Sequence, residues 1–182
     1  ISVISFWFNL GFSVISPQIL EVNKSFDYKK PAETLITYVF MAVECPISQK
    51  YIYRLNELND LHPDMNIVGV FQENTTEAKL TEFGDRFGVE FPLVFDKDHR
   101  WALKYKVEIT PEVFLIDRFD RVVYSGAIDN WFISLGRNRK VPSEHYLLEA
   151  YLAINQGEEV KNKKTKAVGC FLELSTTHHH GQ

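Results

Sequence analysis

The chain has 182 residues, 45% of them hydrophobic, which suffices for one sizeable core and excludes general disorder. Its 20 basic and 24 acidic side chains leave a formal net charge of −4, too mild an imbalance to imply nucleic acid, and no basic stripe interleaved with aromatics appears. Two cysteines, Cys45 and Cys170, are too few for a disulfide-rich scaffold and lack the repeated Cys/His spacing of structural zinc, so one bridge or two separate thiols stay open.

Residues 1–16 carry no charge and are strongly apolar. They suit the h-region of an export signal, although cleavage after Ser16 would put Pro17 behind the cut. They suit equally an N-terminal strand or hairpin packed on the domain. The polar stretch 25–32 ends in Lys29-Lys30-Pro31 and reads as a connector. The predicted organisation is therefore an N-terminal segment and connector (1–30), one α/β domain (31–174) and a C-terminal tail (175–182).

Residues 35–41 are β-branched and aromatic with almost no polar relief, which predicts a strand buried on both faces. Cys45-Pro46 follows at once, with Pro46 suited to the first turn of a helix. Tyr51, Leu55, Leu58 and Leu61 recur at helical spacing up to His62-Pro63, where the helix should stop. Residues 66–71 predict a second buried strand. Thr76 can cap the next helix, whose apolar stripe is Leu80, Phe83 and Phe87. A short strand over 91–95 and a short helix opened by Asp96 or Asp98 come next. Residues 112–117 and 121–124 predict a hairpin across the turn 118–120. Pro142 and Ser143 should begin a long helix ended by Gly157, with Tyr146, Leu147, Ala150, Tyr151 and Ile154 inward. Alternating β and α units, then a hairpin and a last helix, predict a central sheet covered on both faces.

The chemistry centres on Cys45. A cysteine between a buried strand and a helix N-terminus meets free amides and the positive end of the helix dipole, which stabilise a thiolate, the nucleophilic form. An ordinary buried cysteine is the competing reading. Glu44 adjoins Cys45 and reads as either a solvent-facing carboxylate or a proton relay. Lys161, Lys163, Lys164 and Lys166 read as a solvated loop between Gly157 and Gly169. His178, His179 and His180 read as a tail rather than a metal site, and Gln49 stands where a copper-binding Cys-x-x-x-Cys pair would need its second thiol. No cofactor and no metal are expected.

Cys45-Pro46 at the first helix, the βαβ order, and Thr110-Pro111 before a hairpin together resemble the thioredoxin superfamily. The closer resemblance is to redoxin domains of the AhpC/TSA and TlpA-like type. It rests on Glu44-Cys45-Pro46-Ile47-Ser48-Gln49-Lys50-Tyr51, Phe91-Pro92-Leu93-Val94-Phe95-Asp96, Thr110-Pro111-Glu112-Val113-Phe114, Tyr124-Ser125-Gly126-Ala127-Ile128-Asp129-Asn130 and Ala167-Val168-Gly169-Cys170. It implies a thioredoxin-like α/β fold with a mixed central sheet, and a cis Pro111 facing Cys45. It further implies a thiol oxidoreductase that acts on a peroxide or a protein disulfide and is recycled by a thiol reductant.

Three departures qualify that expectation. Ser48 stands where a Cys-x-x-Cys motif has its second thiol, so cycling through a local disulfide is excluded. Ala42 stands where a peroxiredoxin carries Thr. Ala127 stands where the family piece often has Arg. The expected site is thus Cys45, Pro46, Ser48 and Pro111, with Glu44 and Thr110 beside them. Cys170 is the one distant candidate to resolve Cys45, carried on a polar stretch (157–166) with reach and preceded by the flexible Gly169. The alternative for residues 168–174 is a final strand or tail with Cys170 merely packed. The alternative for the whole chain is a non-catalytic redoxin-like binding or accessory module of a larger exported protein. A periplasmic or exported setting is expected, with the cytoplasm as the alternative.

Overall fold

The computed structural model describes residues 19–20, 35–72 and 75–172. The export-signal and strand readings of residues 1–16, the connector before Pro31 and the His178-containing tail lie outside the described residues.

The sheet is built outward from its most apolar strand. Ile19–Leu20 forms β1 and Ile36–Met41 forms β2, every residue of β2 being buried. The predicted helix follows as α1 (Pro46–Leu61), with Pro46 at its first position and Ile47, Tyr51, Ile52 and Leu55 turned into the core. Each such burial is worth about 1.5–3 kcal/mol. It ends at His62, because Pro63 cannot continue the ladder and starts a single 3-10 turn instead. β3 (Ile67–Gln72) is the second buried strand, and α2 (Glu77–Phe87) is capped by the Thr76 hydroxyl, which accepts from the Lys79 amide at 3.3 Å.

β4 (Leu93–Asp96) begins later than the sequence pattern suggests, after Pro92, whose carbonyl accepts from Gly69. Asp96, rather than Asp98, organises α3 (Arg100–Tyr105): its carboxylate accepts from the Trp101 and Ala102 amides at 2.9 and 2.8 Å. β5 (Ile109–Thr110) precedes the hairpin of β6 (Glu112–Ile116) and β7 (Val122–Gly126). A small second hairpin, β8 (Phe132–Ser134) with β9 (Arg137–Asn138), has no counterpart in the sequence reading. α4 (Tyr146–Asn155) starts three residues after Ser143. The Asn130 side chain accepts from the Ser143 and Glu144 amides, and the Asn130 backbone amide donates to the Glu144 carbonyl, which holds that segment out of helical geometry. β10 (Cys170–Phe171) closes the described chain.

Among the described residues the main sheet has six strands in the order β1-β4-β3-β2-β6-β7. β1, β4, β3 and β2 are mutually parallel, and β6 and β7 run antiparallel to their neighbours. α1, α2 and α4 cover one face, around Phe71, Leu115 and Tyr124. α3 covers the other, around Phe40, Val94 and Phe114, with Trp101 and Tyr105 against Tyr38. This is the thioredoxin-like α/β fold expected from the sequence. Among the described residues no helix is long and apolar enough to cross a membrane.

Candidate active site

The end of β2 turns sharply into α1. The Cys45 amide donates to the Ala42 carbonyl at 3.1 Å, and Cys45 takes the extended N-cap position (φ −82°). The first turn of a helix leaves amides without intrahelical partners, so the sulfur sits where an anion is welcome. Ser48, three residues on, is fully buried, and its hydroxyl also accepts from the Ala42 amide at 3.4 Å.

Facing this turn is the β5 loop. The Thr110–Pro111 bond is cis and both residues are buried. The Cys45 thiol donates to the Thr110 carbonyl at 3.3 Å. Over that same residue lies β10, antiparallel to β5 with Cys170 opposite Thr110 and Phe171 opposite Ile109. The Thr110 hydroxyl donates to the Cys170 carbonyl at 3.4 Å, and the Leu172 amide to the Glu108 carbonyl at 2.8 Å. Gly169 makes this approach possible: a Cβ there would overlap the Thr110 carbonyl oxygen. Cys45 is left only 2% exposed, while Cys170 is half-buried and both thiols are free.

The two sulfurs are unequal. Burial opposes ionisation of Cys45, but hydrogen bonds from the Cys170 thiol and from the Ser48 amide and hydroxyl outweigh it. The Cys45 pKa therefore lies below the ordinary thiol value. Burial, the hydrogen bond to Cys45 and the nearby Cys45 charge push the Cys170 pKa up. Cys45 is thus the more acidic sulfur of the two, and a thiol reacts with a sulfur or an oxygen as its thiolate.

Cys45, Ser48, Thr110, Pro111 and Cys170 are thus brought to one place. Pro46 opens α1 with its ring exposed, and Glu44 faces solvent. The four lysines are exposed, but residues 157–166 are not the free loop that their polarity suggests. The Ser125 amide donates to the Lys163 carbonyl and the Thr165 amide to the Ser125 carbonyl, both at 3.0 Å, so the segment runs beside β7. The Thr165 hydroxyl bonds Tyr124 Oη and accepts from the Ala127 amide. Gly126, at φ +129°, leaves the space that the Thr165 backbone fills.

The sequence reading also missed the support behind α1. Asp129 accepts from Tyr51 Oη, Arg54 Nε and the Trp131 amide, each at 2.7 Å. A Tyr and an Arg three residues apart on the helix, with an Asp after a glycine turn, were the available signal.

The chain matches the family model described as AhpC/TSA family over residues 18–125. It is 31% identical over 81 residues to the thiol-disulfide oxidoreductase ResA of Geobacillus kaustophilus (strain HTA426), covering 43% of this chain and 46% of that protein. The chain thus spans about half the length of that curated relative. The fold is similar to that of a hypothetical protein, SMc02350, from Sinorhizobium meliloti 1021, with TM-score 0.65, 20% identity and coverage of 80% and 82% of the two chains. It is equally similar to an uncharacterized conserved protein from Geobacillus kaustophilus, with TM-score 0.65, 22% identity and coverage of 80% and 79%.

Proposed function

The chain belongs to the AhpC/TSA family, and on that footing we propose that it is a thiol–disulfide oxidoreductase in which Cys45 attacks and Cys170 resolves. The observation that carries this reading is the convergence of both thiol-bearing segments on Thr110, whose carbonyl accepts from the Cys45 thiol while Cys170 stands opposite it in the β5–β10 pair. Cys45 thiolate attacks one sulfur of a substrate protein's disulfide and expels the other as a thiolate. Cys170, as its proton leaves, attacks Cys45 Sγ and releases the substrate's second thiol. The Cys45–Cys170 disulfide is returned to the dithiol by an external thiol reductant. Ser48 holds the thiolate, and Thr110 and Pro111 shape the groove.

A peroxide is the second substrate class, favoured by the 2% exposure of Cys45, which a small oxidant tolerates better than a protein segment does. Cys45 thiolate would take the distal oxygen to become a sulfenic acid, releasing an alcohol or water. Cys170 would then condense with it and expel water. Ala42 supplies no hydroxyl for that oxidant. We further infer a periplasmic or exported setting, since the disulfide form persists in oxidising compartments.

The test is equilibration in glutathione buffers, acid trapping and peptide mapping, with reduction of insulin disulfides as the assay. A reversible Cys45–Cys170 linkage is expected, with activity lost in Cys45→Ser and a trapped mixed disulfide in Cys170→Ser. Insulin reduction surviving in Cys45→Ser, or no linkage at any buffer ratio, overturns the reading.

A further inference from the structure

The cycle just described leaves an access problem. Cys45 is 2% exposed, and the chain's own β10 lies on the β5 residue that its thiol bonds, with Cys170 packed against the same core cluster. We propose that residues 169–172 occupy in cis the seat of an extended, cysteine-bearing segment of the substrate protein, and that a substrate gains Cys45 by displacing β10 from β5. This rests on the reading of Cys45 as the redox sulfur.

The seat reads backbone. Its polar contacts to the strap are the β5 ladder, the Thr110 hydroxyl on the Cys170 carbonyl and the Glu108 carbonyl on the Leu172 amide, and beside them the Leu172 and Cys170 side chains pack, partly buried, at the edges of the two core clusters. Any extended segment supplies the same groups, which is how strand addition gives affinity without a fixed sequence. Phe171, facing away at 83% exposed, meets no pocket. Two positions are restrictive. The residue opposite Thr110 carries the thiol beside the carbonyl that accepts from Cys45, and the residue before it must lack a side chain because of the Thr110 carbonyl oxygen. The substrate class is therefore an extended polypeptide with glycine before the attacked cysteine.

Among the described residues the strap is held more firmly upstream of Gly169 than downstream. Upstream it is fixed by the bonds of residues 163–165 to β7 and by buried Ala167. Downstream of Gly169 it is a strand of two residues, and short edge elements open far below the global unfolding free energy. When a substrate segment has been attacked and β10 returns, Cys170 arrives at the mixed disulfide with the geometry it has now. Thiol–disulfide exchange balances without any further oxidant: one disulfide is consumed, one forms, and two thiols leave.

The experiment uses the full chain carrying Cys170→Ser, so that adducts on Cys45 persist. The probe is the peptide Lys-Ala-Val-Gly-Cys-Phe-Leu with its cysteine linked to thionitrobenzoate, whose release reports attack by Cys45. Adding Leu172→Pro deletes the amide that bonds Glu108 and should speed release about fivefold. Replacing the peptide's glycine by alanine should slow it about tenfold. Equal rates with and without Leu172→Pro, or equal rates for the two peptides, overturn the proposal. Should Leu172→Pro fail to fold, hydrogen exchange on the unsubstituted chain decides. The Leu172 amide should exchange at least a hundredfold faster than the β2 amides, and protection as strong as that of β2 overturns the proposal. These readouts concern the seat alone, whereas a Cys45–Cys170 disulfide that never forms would sink the redox reading and leave them standing.

Discussion

Cys170 stands opposite Thr110 in an antiparallel pair, and the Thr110 carbonyl is at the same time the acceptor for the Cys45 thiol. One backbone residue thereby positions both sulfurs. Thiols on separate segments lose considerable freedom when they must meet, and a ladder that has already fixed them lowers that cost. Ser48 supplies no second thiol beside Cys45; the second thiol at this place is Cys170, carried there on β10.

The pH dependence of Cys45 follows from its partners. The hydrogen bonds from Cys170 and Ser48 favour the thiolate against burial, so the thiolate should form below the pH at which an ordinary cysteine ionises. Thiolate ultraviolet absorbance and the pH profile of iodoacetamide labelling should share that low midpoint. In Cys170→Ala one donor is gone and the midpoint should move up toward the ordinary value. A midpoint that stays put would mean that Ser48 and the Cys170 backbone amide, not the Cys170 thiol, set it.

The anchor upstream of Cys170 can be tested by stability. The Thr165 hydroxyl accepts from the Ala127 amide at 3.0 Å and bonds Tyr124 Oη, itself fully buried. Thr165→Val keeps the shape and leaves the amide without its acceptor. A buried donor left unpaired costs about 1–3 kcal/mol, to be read from urea unfolding. The same variant should lower the oxidised fraction of the Cys45–Cys170 pair at a fixed glutathione ratio, because Cys170 is carried by this segment. Unchanged stability with unchanged oxidation would show that Thr165 is not its anchor.

The sequence made the central elements readable because they obey local rules. Residues 35–41 have no polar face to offer, so they become β2; Pro46 and the spacing of Tyr51 and Leu55 define α1. Thr110-Pro111 marked the facing loop and Cys170 was visible as the only distant thiol. What was illegible depends on contacts between remote segments. The polarity of residues 157–166 describes their exposed side chains and says nothing of the backbone bonds to Ser125. The approach of β10 to the Cys45 side of β5 rests on the space left by Gly169. The late start of α4 is set by Asn130, on another loop.

Asp117 gives a pH-dependent contribution to the β6–β7 hairpin. Burial raises its pKa, but hydrogen bonds from the Arg121 side chain and amide and from the Phe119 amide prevail, and the folded-state value lies below the ordinary one. A depressed folded pKa contributes stability that is fully present above the unfolded value and is lost as pH falls through the folded value. Asp117→Asn should therefore destabilise the chain at neutral pH, and the difference from wild type should shrink in acid, below about pH 3.9. A difference that is constant from pH 7 into that range would assign the effect to shape rather than charge.

Asp129 joins α1 to the loop after β7, and its side chain is 2% exposed. It receives three donors at 2.7 Å: Tyr51 Oη, Arg54 Nε and the Trp131 amide. Trp131 in turn packs edge-on against Tyr51 at 5.4 Å, with the Arg54 guanidinium 5.8 Å from its ring. All three partners donate, so the site needs an acceptor-only group. Asp129→Asn preserves the volume but turns an amide NH2 toward one donor and removes the charge that Arg54 answers. Breaking such a pair on one side costs about 3 kcal/mol when buried, and somewhat less here because Arg54 is 21% exposed. Tyr51→Phe removes a single bond and should cost about 1 kcal/mol. Since these side chains are among one another's partners, the two losses should fall short of additive in the double variant. The Cys45 ionisation midpoint should stay unchanged in Asp129→Asn, because the groups that act on that sulfur are its own burial, Cys170 and Ser48. Chemical denaturation of the three variants, with thiolate titration of Asp129→Asn, checks each part. A stability within 0.5 kcal/mol of wild type, the size of an ordinary surface substitution, would show that the cluster does not hold α1 in place.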